Sequence, residues 1–139
     1  MLAIGLMSGT SRDGIDAALI ETDGAGAVTP VAFHAKAYED GFRVRLAESC
    51  TRAMAMDAPG FEPLIASVES ELTELHVEAV ADLLGRSGHV AQDIGVIGFH
   101  GHTVAHRPDR GWTWQIGDGA ALAGAFGITV VGDLRSADV

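Results

Sequence analysis

The chain has a single cysteine, Cys50, so no internal disulfide can form and a disulfide-stapled secreted scaffold is excluded. Positive charge is scarce: nine basic residues, of which Lys36 is the only lysine, stand against nineteen acidic ones, for a formal charge of −10. Non-specific binding to DNA, RNA or anionic lipid requires the opposite balance. Long apolar runs are missing too. The longest uncharged stretch, Gly119 to Gly132, has 14 residues and four of them are glycine, whereas a bilayer-spanning helix needs about 20. The N-terminus lacks a basic region, and Asp13 and Asp16 interrupt any signal-like stretch. Low-complexity tracts, linkers and internal repeats do not occur. What is present is 139 residues, 47% of them hydrophobic, enough for one domain with a real core. These features together predict an acidic, cytoplasmic single domain over residues 1–139 with no nucleic-acid or membrane partner.

Glycine, at 18 residues, punctuates the chain. Leu2–Ser8 and Ile15–Thr22 read as strands joined by the turn-forming Gly9-Thr10-Ser11-Arg12-Asp13-Gly14, and Val28–Tyr38 reads as a third strand. Gly41–Met56 has Val44, Ala47, Cys50 and Met54 at helical spacing. The strongest periodicity is Leu64, Val68, Leu72, Leu75, Ala79 and Leu83, with Pro63 at the first turn, Gly85 at the expected C-cap and Glu69, Glu71, Glu74 and Glu78 on the outer surface. Ile94–Phe99, an apolar run bounded by Gly, predicts a strand buried on both faces. Val104 onward predicts a turn leading into a Trp112–Ile116 strand, then a short helix over Gly119–Phe126 capped by Asp118, then a strand over Ile128–Val131. The order is β-β-β-α-β-α-β with a small hairpin before the second α. It resembles the ribonuclease-H-like half of actin, Hsp70 chaperones and sugar kinases, an α/β class.

Four stretches carry chemistry. Around Gly9–Asp16, small residues let backbone N–H groups approach a phosphate, and Thr10 and Ser11 add hydroxyl donors. Mg²⁺ would supply the missing positive charge there, with Asp13 or Asp16 helping to hold it. The plainer reading of the same stretch is a hairpin turn, because it lacks the Gly-Lys-Ser/Thr of a Walker A loop. His100, His102 and His106 lie within seven residues, a spacing that suits either zinc ligation, as in a metal hydrolase, or hydrogen bonding at a sheet end. Gln115–Gly119 sits at a strand-to-helix junction, where N–H groups would be available to an anion unless Asp118 is simply a cap. Asp133 and Arg135 follow a buried strand, where open α/β sheets bind ligands; an ordinary surface ion pair is the alternative.

Taken together, GLMSGTSRDGIDAALIETDG, GFHGHTVAHRP, TWQIGDGAALA and GITVVGDLRSADV resemble the anhydro-N-acetylmuramic acid kinase family in order and spacing, across nearly the whole chain. Two departures stand out: His102 where the family usually has Gln, and Leu134 where it usually has Phe. The resemblance implies a two-lobed sugar kinase of the actin and Hsp70 type. Such a kinase uses ATP and Mg²⁺ to open the ring of a 1,6-anhydro cell-wall sugar with water and to phosphorylate the freed 6-hydroxyl. It assigns the ATP-phosphate segment to Gly9, Thr10, Ser11, Arg12, Asp13, Gly14, Ile15 and Asp16. It assigns His100, His102, Thr103, Asp118, Asp133 and Arg135 to the sugar side. It also implies that the water-activating Asp lies beyond Val139, so that this chain is one lobe, inactive alone, completed by a C-terminal lobe or a homodimer. A non-catalytic sugar- or nucleotide-binding module is the alternative.

Overall fold

A computed structural model describes residues 1–9 and 11–132. Strands β1 (Leu2–Ser8), β2 (Gly14–Thr22) and β3 (Val28–Ala37) come first, each antiparallel to the next. Helices α1 (Asp40–Met54) and α2 (Pro63–Ser87) follow, then β4 (Ile94–Phe99). A hairpin of β5 (His102–Arg107) and β6 (Trp112–Ile116) precedes α3 (Gly119–Phe126) and the short β7 (Val130–Val131). The main sheet runs β3-β2-β1-β4-β7, with β4 parallel to β1 and β7 parallel to β4. The β5–β6 hairpin forms a separate antiparallel sheet. Two helices lie between the third and fourth strands, as the two periodic segments predict, so the order is β-β-β-α-α-β-β-β-α-β rather than one with a single α there.

Period-two alternation sets the layers. On β1, Ile4, Leu6 and Ser8 point inward while Gly5 and Met7 face out; on β2, Ile15, Ala17 and Leu19 point inward. Helix α2 covers that inner face against β2 and β3, α1 packs on α2 and the β5 strand, and α3 packs beside α2 and β7. The opposite face is bare among the described residues. Across it the strand registers align Phe33, Ala18, Gly5, Gly98 and Val131 in one row, with Phe33 59% and Val131 45% exposed. This one-sided cover corrects the expectation for Ile94–Phe99: Ile94, Ile97 and Phe99 are buried, but Gly95 is exposed and Val96 and Gly98 only half-buried.

Helix α1 turns a different face inward from the one its aliphatic residues suggest. Phe42, Leu46, Ser49 and Ala53 are buried, whereas Val44 is 66% and Met54 45% exposed. Phe42 wins because its ring packs on Tyr38 with centroids 4.8 Å apart, and one aromatic outweighs a valine in buried area. Helix α2 begins as its sequence predicts, with Pro63 in the first turn and the Glu62 carboxylate accepting from the Ile65 N–H at 2.8 Å. It ends later than expected. Gly85 is inside the helix, and Gly88, at φ +75°, makes the left-handed cap. The hairpin also begins earlier than expected, at His102 rather than after Val104.

Candidate functional site

The parallel strands β1 and β4 end at the same edge of the sheet, and the loops that follow them build the candidate site. The first loop spans Ser8 to Gly14, with Thr10 outside the described residues. The Gly9 carbonyl accepts from the Arg12 N–H at 3.0 Å, and Arg12 is the one described non-glycine residue with positive φ, at 58°. A left-handed conformation costs an L-residue about 1–2 kcal/mol, so neighbouring contacts must hold it. Arg43 on α1 supplies two: its Nε donates to the Arg12 carbonyl and its guanidinium to Asp13 Oδ1, both at 3.2 Å. The Tyr38 N–H donates to the Asp13 carbonyl at 2.9 Å.

The loop's two described glycines have different reasons to be glycine. A Cβ on Gly14 would lie 2.2 Å from the Lys36 carbonyl oxygen, so β2–β3 pairing itself demands glycine there. A Cβ on Gly9 would meet only Ser11 Oγ, at 4.0 Å. Gly9 therefore borders open space: a cavity of about 340 Å³ whose walls include Gly9, Ser11, Asp13, Gly14 and Asp16. Ile15 also borders it, yet its side chain is wholly buried in the core, so only backbone can serve a ligand. The Arg12 guanidinium bears instead on Cys50 and His102 and is not part of this wall.

Beyond β4, Gly101 turns the chain at φ +66°, where a Cβ would lie 2.1 Å from the Ile116 carbonyl oxygen. This close approach closes the base of the β5–β6 hairpin, where His102 pairs with Ile116. The three histidines part company there. His100 and His106 are exposed, and His106 Nδ1 lies 3.1 Å from Thr113 Oγ1. His102 is only 1% exposed, and its Nδ1 lies 2.8 Å from Ser8 Oγ, which is in turn 2.7 Å from the Tyr38 hydroxyl. If Tyr38 donates to Ser8 and Ser8 donates to Nδ1, both hydroxyl protons find acceptors and the His102 proton is on Nε2. Burial lowers the His102 pKa; a hydrogen bond to the Ser8 backbone opposes this, and the Arg12 cation adds to the lowering. Burial pushes the Tyr38 phenol up to about 12 despite its bond to Ser8. Among the described residues, no three potential metal-ligating side chains come together.

The Gln115–Gly119 turn differs from expectation in a specific way. Two of its N–H groups are occupied from within: Gly117 N–H donates to Glu69 Oε2 and Asp118 N–H to Thr73 Oγ1, each at 2.9 Å. Asp118 Oδ1 caps the Ala121 N–H at 3.1 Å, so Asp118 is a helix cap. Helix α2 thus takes up the two donors just before the helix start. The turn still borders a larger cavity of about 660 Å³, walled by His100, Gly101, Trp114, Gln115, Gly117 and Gly119 among others. Thr103 stands beside it on β5, its hydroxyl accepting from Gln115 Nε2 at 3.3 Å. Asp133 and Arg135 lie outside the described residues.

Sequence reasoning missed Ser8, Tyr38, Arg43, Glu69 and Thr73. Ser8 carried a usable signal, a hydroxyl in the inward register of β1 after Ile4 and Leu6, which must find a buried partner. Glu69 and Thr73 are four apart and so share a helix face, another readable sign.

A family model for anhydro-N-acetylmuramic acid kinase matches residues 1–139. A protein of that name from Rhizorhabdus wittichii is 61% identical over 139 residues, covering 100% of this chain and 38% of its own length. One from Zymomonas mobilis is 56% identical, covering 100% of this chain and 39% of its own. One from Brucella canis is 49% identical, with 99% and 37% covered. The chain thus spans about two-fifths of the length of these curated relatives, which places its two sheet-end loops in an N-terminal part of them. On a family match that runs over every residue, the chain belongs to the anhydro-N-acetylmuramic acid kinase family.

Proposed function

We propose that this chain is the N-terminal, nucleotide-phosphate-binding lobe of an ATP-dependent kinase acting on 1,6-anhydro-N-acetylmuramic acid in cell-wall sugar recycling in the cytoplasm. The carrying observation is that loops after the parallel strands β1 and β4 line two cavities at the strands' carboxyl ends, where open α/β sheets bind ligands. The strand order β3-β2-β1-β4-β7, with β2 alone reversed among the central strands, supports a ribonuclease-H-like lobe of the sugar-kinase type.

Within this reading, Gly9 leaves room for phosphate oxygens at the smaller cavity, and Ser11 contributes a hydroxyl. The oxygen donors Asp13 and Asp16 in the same wall suit a hard cation, and would hold Mg²⁺ directly or through water. Held by those carboxylates, Mg²⁺ would supply positive charge to offset that developing on the transferred phosphoryl group. The larger cavity takes the sugar. Its Trp114 and Pro59 offer an apolar wall, while His100 and Gln115 offer polar groups that fix orientation. Thr103 supports Gln115 from the next strand, and Asp118 holds the turn in shape as a cap. In the overall reaction water adds at the anomeric carbon, the 1,6-anhydro C–O bond breaks, and the freed O6 takes the γ-phosphoryl group of ATP. ADP and the sugar 6-phosphate result.

The described walls of the larger cavity contain no carboxylate, and the one titratable side chain among them is the His100 imidazole. This favours a division of labour in which the chain binds and a further part of the longer protein supplies the base. The bare sheet face, with Met7, Phe33 and Val131 exposed, suits cover by that part, or by a second copy. The test is to incubate the chain with ATP, Mg²⁺ and the anhydro sugar, alone and with the remainder of a family member expressed separately. Sugar 6-phosphate is expected only in the combined reaction. Turnover by the rigorously purified chain alone would contradict the division. Failure of the chain to bind either ligand would remove the assignment.

A further inference from the structure

We propose that His102 is a positioning residue for the Ser8–Gly14 loop: through Ser8 it ties that loop to the β5–β6 hairpin that walls the larger cavity. The residues around it form one connected structure. Ser8 is the last residue of β1, immediately before Gly9, and His102 is the first residue of β5, immediately after Gly101. Their 2.8 Å hydrogen bond joins segments 94 positions apart in sequence. Tyr38 adds a second hold on the same loop. Its hydroxyl reaches Ser8 Oγ at 2.7 Å and its N–H reaches the Asp13 carbonyl at 2.9 Å. One imidazole thus sits where the loop beside the smaller cavity meets the turn beside the larger one.

The chemistry requires an acceptor at this place. Ser8 is 8% exposed, Tyr38 5% and His102 1%, so water does not readily substitute for a lost partner. Without an acceptor at residue 102 the Ser8 proton is orphaned, or it turns to Tyr38 and orphans the phenol. A neutral imidazole meets the need through Nδ1. The carboxamide oxygen of Gln, the residue the family resemblance places here, meets it too; an aliphatic side chain does not. Burial and the Arg12 cation in the loop favour the neutral form of His102, while a hydrogen bond to the Ser8 backbone opposes them. His76 on α2 lies close enough to interact with it, and its own pKa is lowered to about 4. The net direction keeps the imidazole neutral and able to accept.

The consequence for ATP rests on the kinase reading, so the experiment separates the two. Amide hydrogen exchange is followed at Arg12, whose N–H bonds the Gly9 carbonyl, and at Tyr38, whose N–H bonds the Asp13 carbonyl. Ile97, bonded to the Thr129 carbonyl, serves as a remote reference. His102→Leu should speed exchange at Arg12 and Tyr38 by about tenfold, the scale of one lost buried hydrogen bond, and leave Ile97 unchanged. Ser8→Ala, which breaks the same bond from the other side, should do likewise. His102→Gln should restore wild-type exchange. Imidazole ¹⁵N shifts in the unmutated chain should show Nδ1 without a proton. Unchanged loop exchange in His102→Leu, or a loop that stays loose in folded His102→Gln, would overturn the proposal. Mg²⁺–ATP affinity is measured on the same proteins. If exchange responds as stated while ATP binds to none of them, the positioning role stands and the kinase reading fails.

Discussion

Replacing the two loop glycines one at a time separates binding from folding. At Gly14 an added methyl would sit 2.2 Å from the Lys36 carbonyl oxygen and 2.9 Å from the Ala37 Cα, both backbone atoms of the paired strand. The β2–β3 ladder must shift to admit it, and strain of this kind costs about 1–3 kcal/mol or more. At Gly9 the nearest atom to the same methyl is Ser11 Oγ at 4.0 Å, so Gly9→Ala and Gly9→Val should change stability by about 0.5 kcal/mol or less. Ligand binding should respond in the reverse order. A valine at residue 9 occupies the space proposed for phosphate and separates the loop donors from it. If it removes one well-aimed donor to the transferring group, about 2.7–4 kcal/mol of transition-state stabilisation is lost, a factor of about 10²–10³. Urea unfolding supplies the stability arm. Mg²⁺–ATP titration of the chain, and turnover in the completed enzyme, supply the binding arm. A Gly9→Val variant that unfolds easily yet keeps normal affinity per folded molecule would refute the reasoning, because the loop would then be a structural turn.

Two further outcomes follow from buried groups. His76 on α2 is fully buried, its Nδ1 donates to the Leu72 carbonyl at 2.8 Å, and burial lowers its pKa from 6.5 to about 4. The unfolded chain takes up its proton first as pH falls, so this contribution is intact above pH 6.5 and is lost toward pH 4. At about 1.4 kcal/mol per pH unit that is about 3 kcal/mol. Urea midpoints measured from pH 7 to pH 4 should fall accordingly, and His76→Leu should flatten that part of the profile; an equally steep profile in the variant would contradict the account. Glu69→Ala should cost about 1.5–3 kcal/mol by orphaning the Gly117 N–H, while Glu69→Gln, which keeps an acceptor, should recover most of it. Equal losses in the two variants would show that charge, rather than the bond, matters there.

Much of the fold was legible because periodicity is a backbone property. The strands read as Leu2–Ser8 and Ile15–Thr22, the latter found one residue longer from Gly14, the long helix starting at Pro63 and the Asp118 cap all follow from local pattern and turn chemistry. Where local cues compete, tertiary contacts decide. Val44 and Met54 carry the expected spacing, but the Tyr38–Phe42 ring contact rotates α1 to a neighbouring face. Gly85 resembled a cap, yet nothing at that position requires positive φ and the helix continues to Gly88. The site was legible as stretches of chain and less so as atoms. Gly9, Ser11, Asp13 and Asp16 do share one wall, and His100 and Gln115 another. His102, by contrast, turns inward to Ser8, and the Gly117 and Asp118 donors are met by Glu69 and Thr73. Both features depend on partners dozens of residues away, which no spacing rule reveals.

The central claim, a nucleotide-phosphate loop beside a sugar-side hairpin, is tested most directly by mapping backbone amide shifts of the ¹⁵N-labelled chain. Mg²⁺–ADP should perturb Gly9, Ser11, Asp13, Gly14 and Asp16, and the anhydro sugar should perturb His100, Gly101, Thr103, Gln115 and Gly117. Nucleotide shifts that fall on the hairpin and spare the Gly9–Asp16 loop would contradict it.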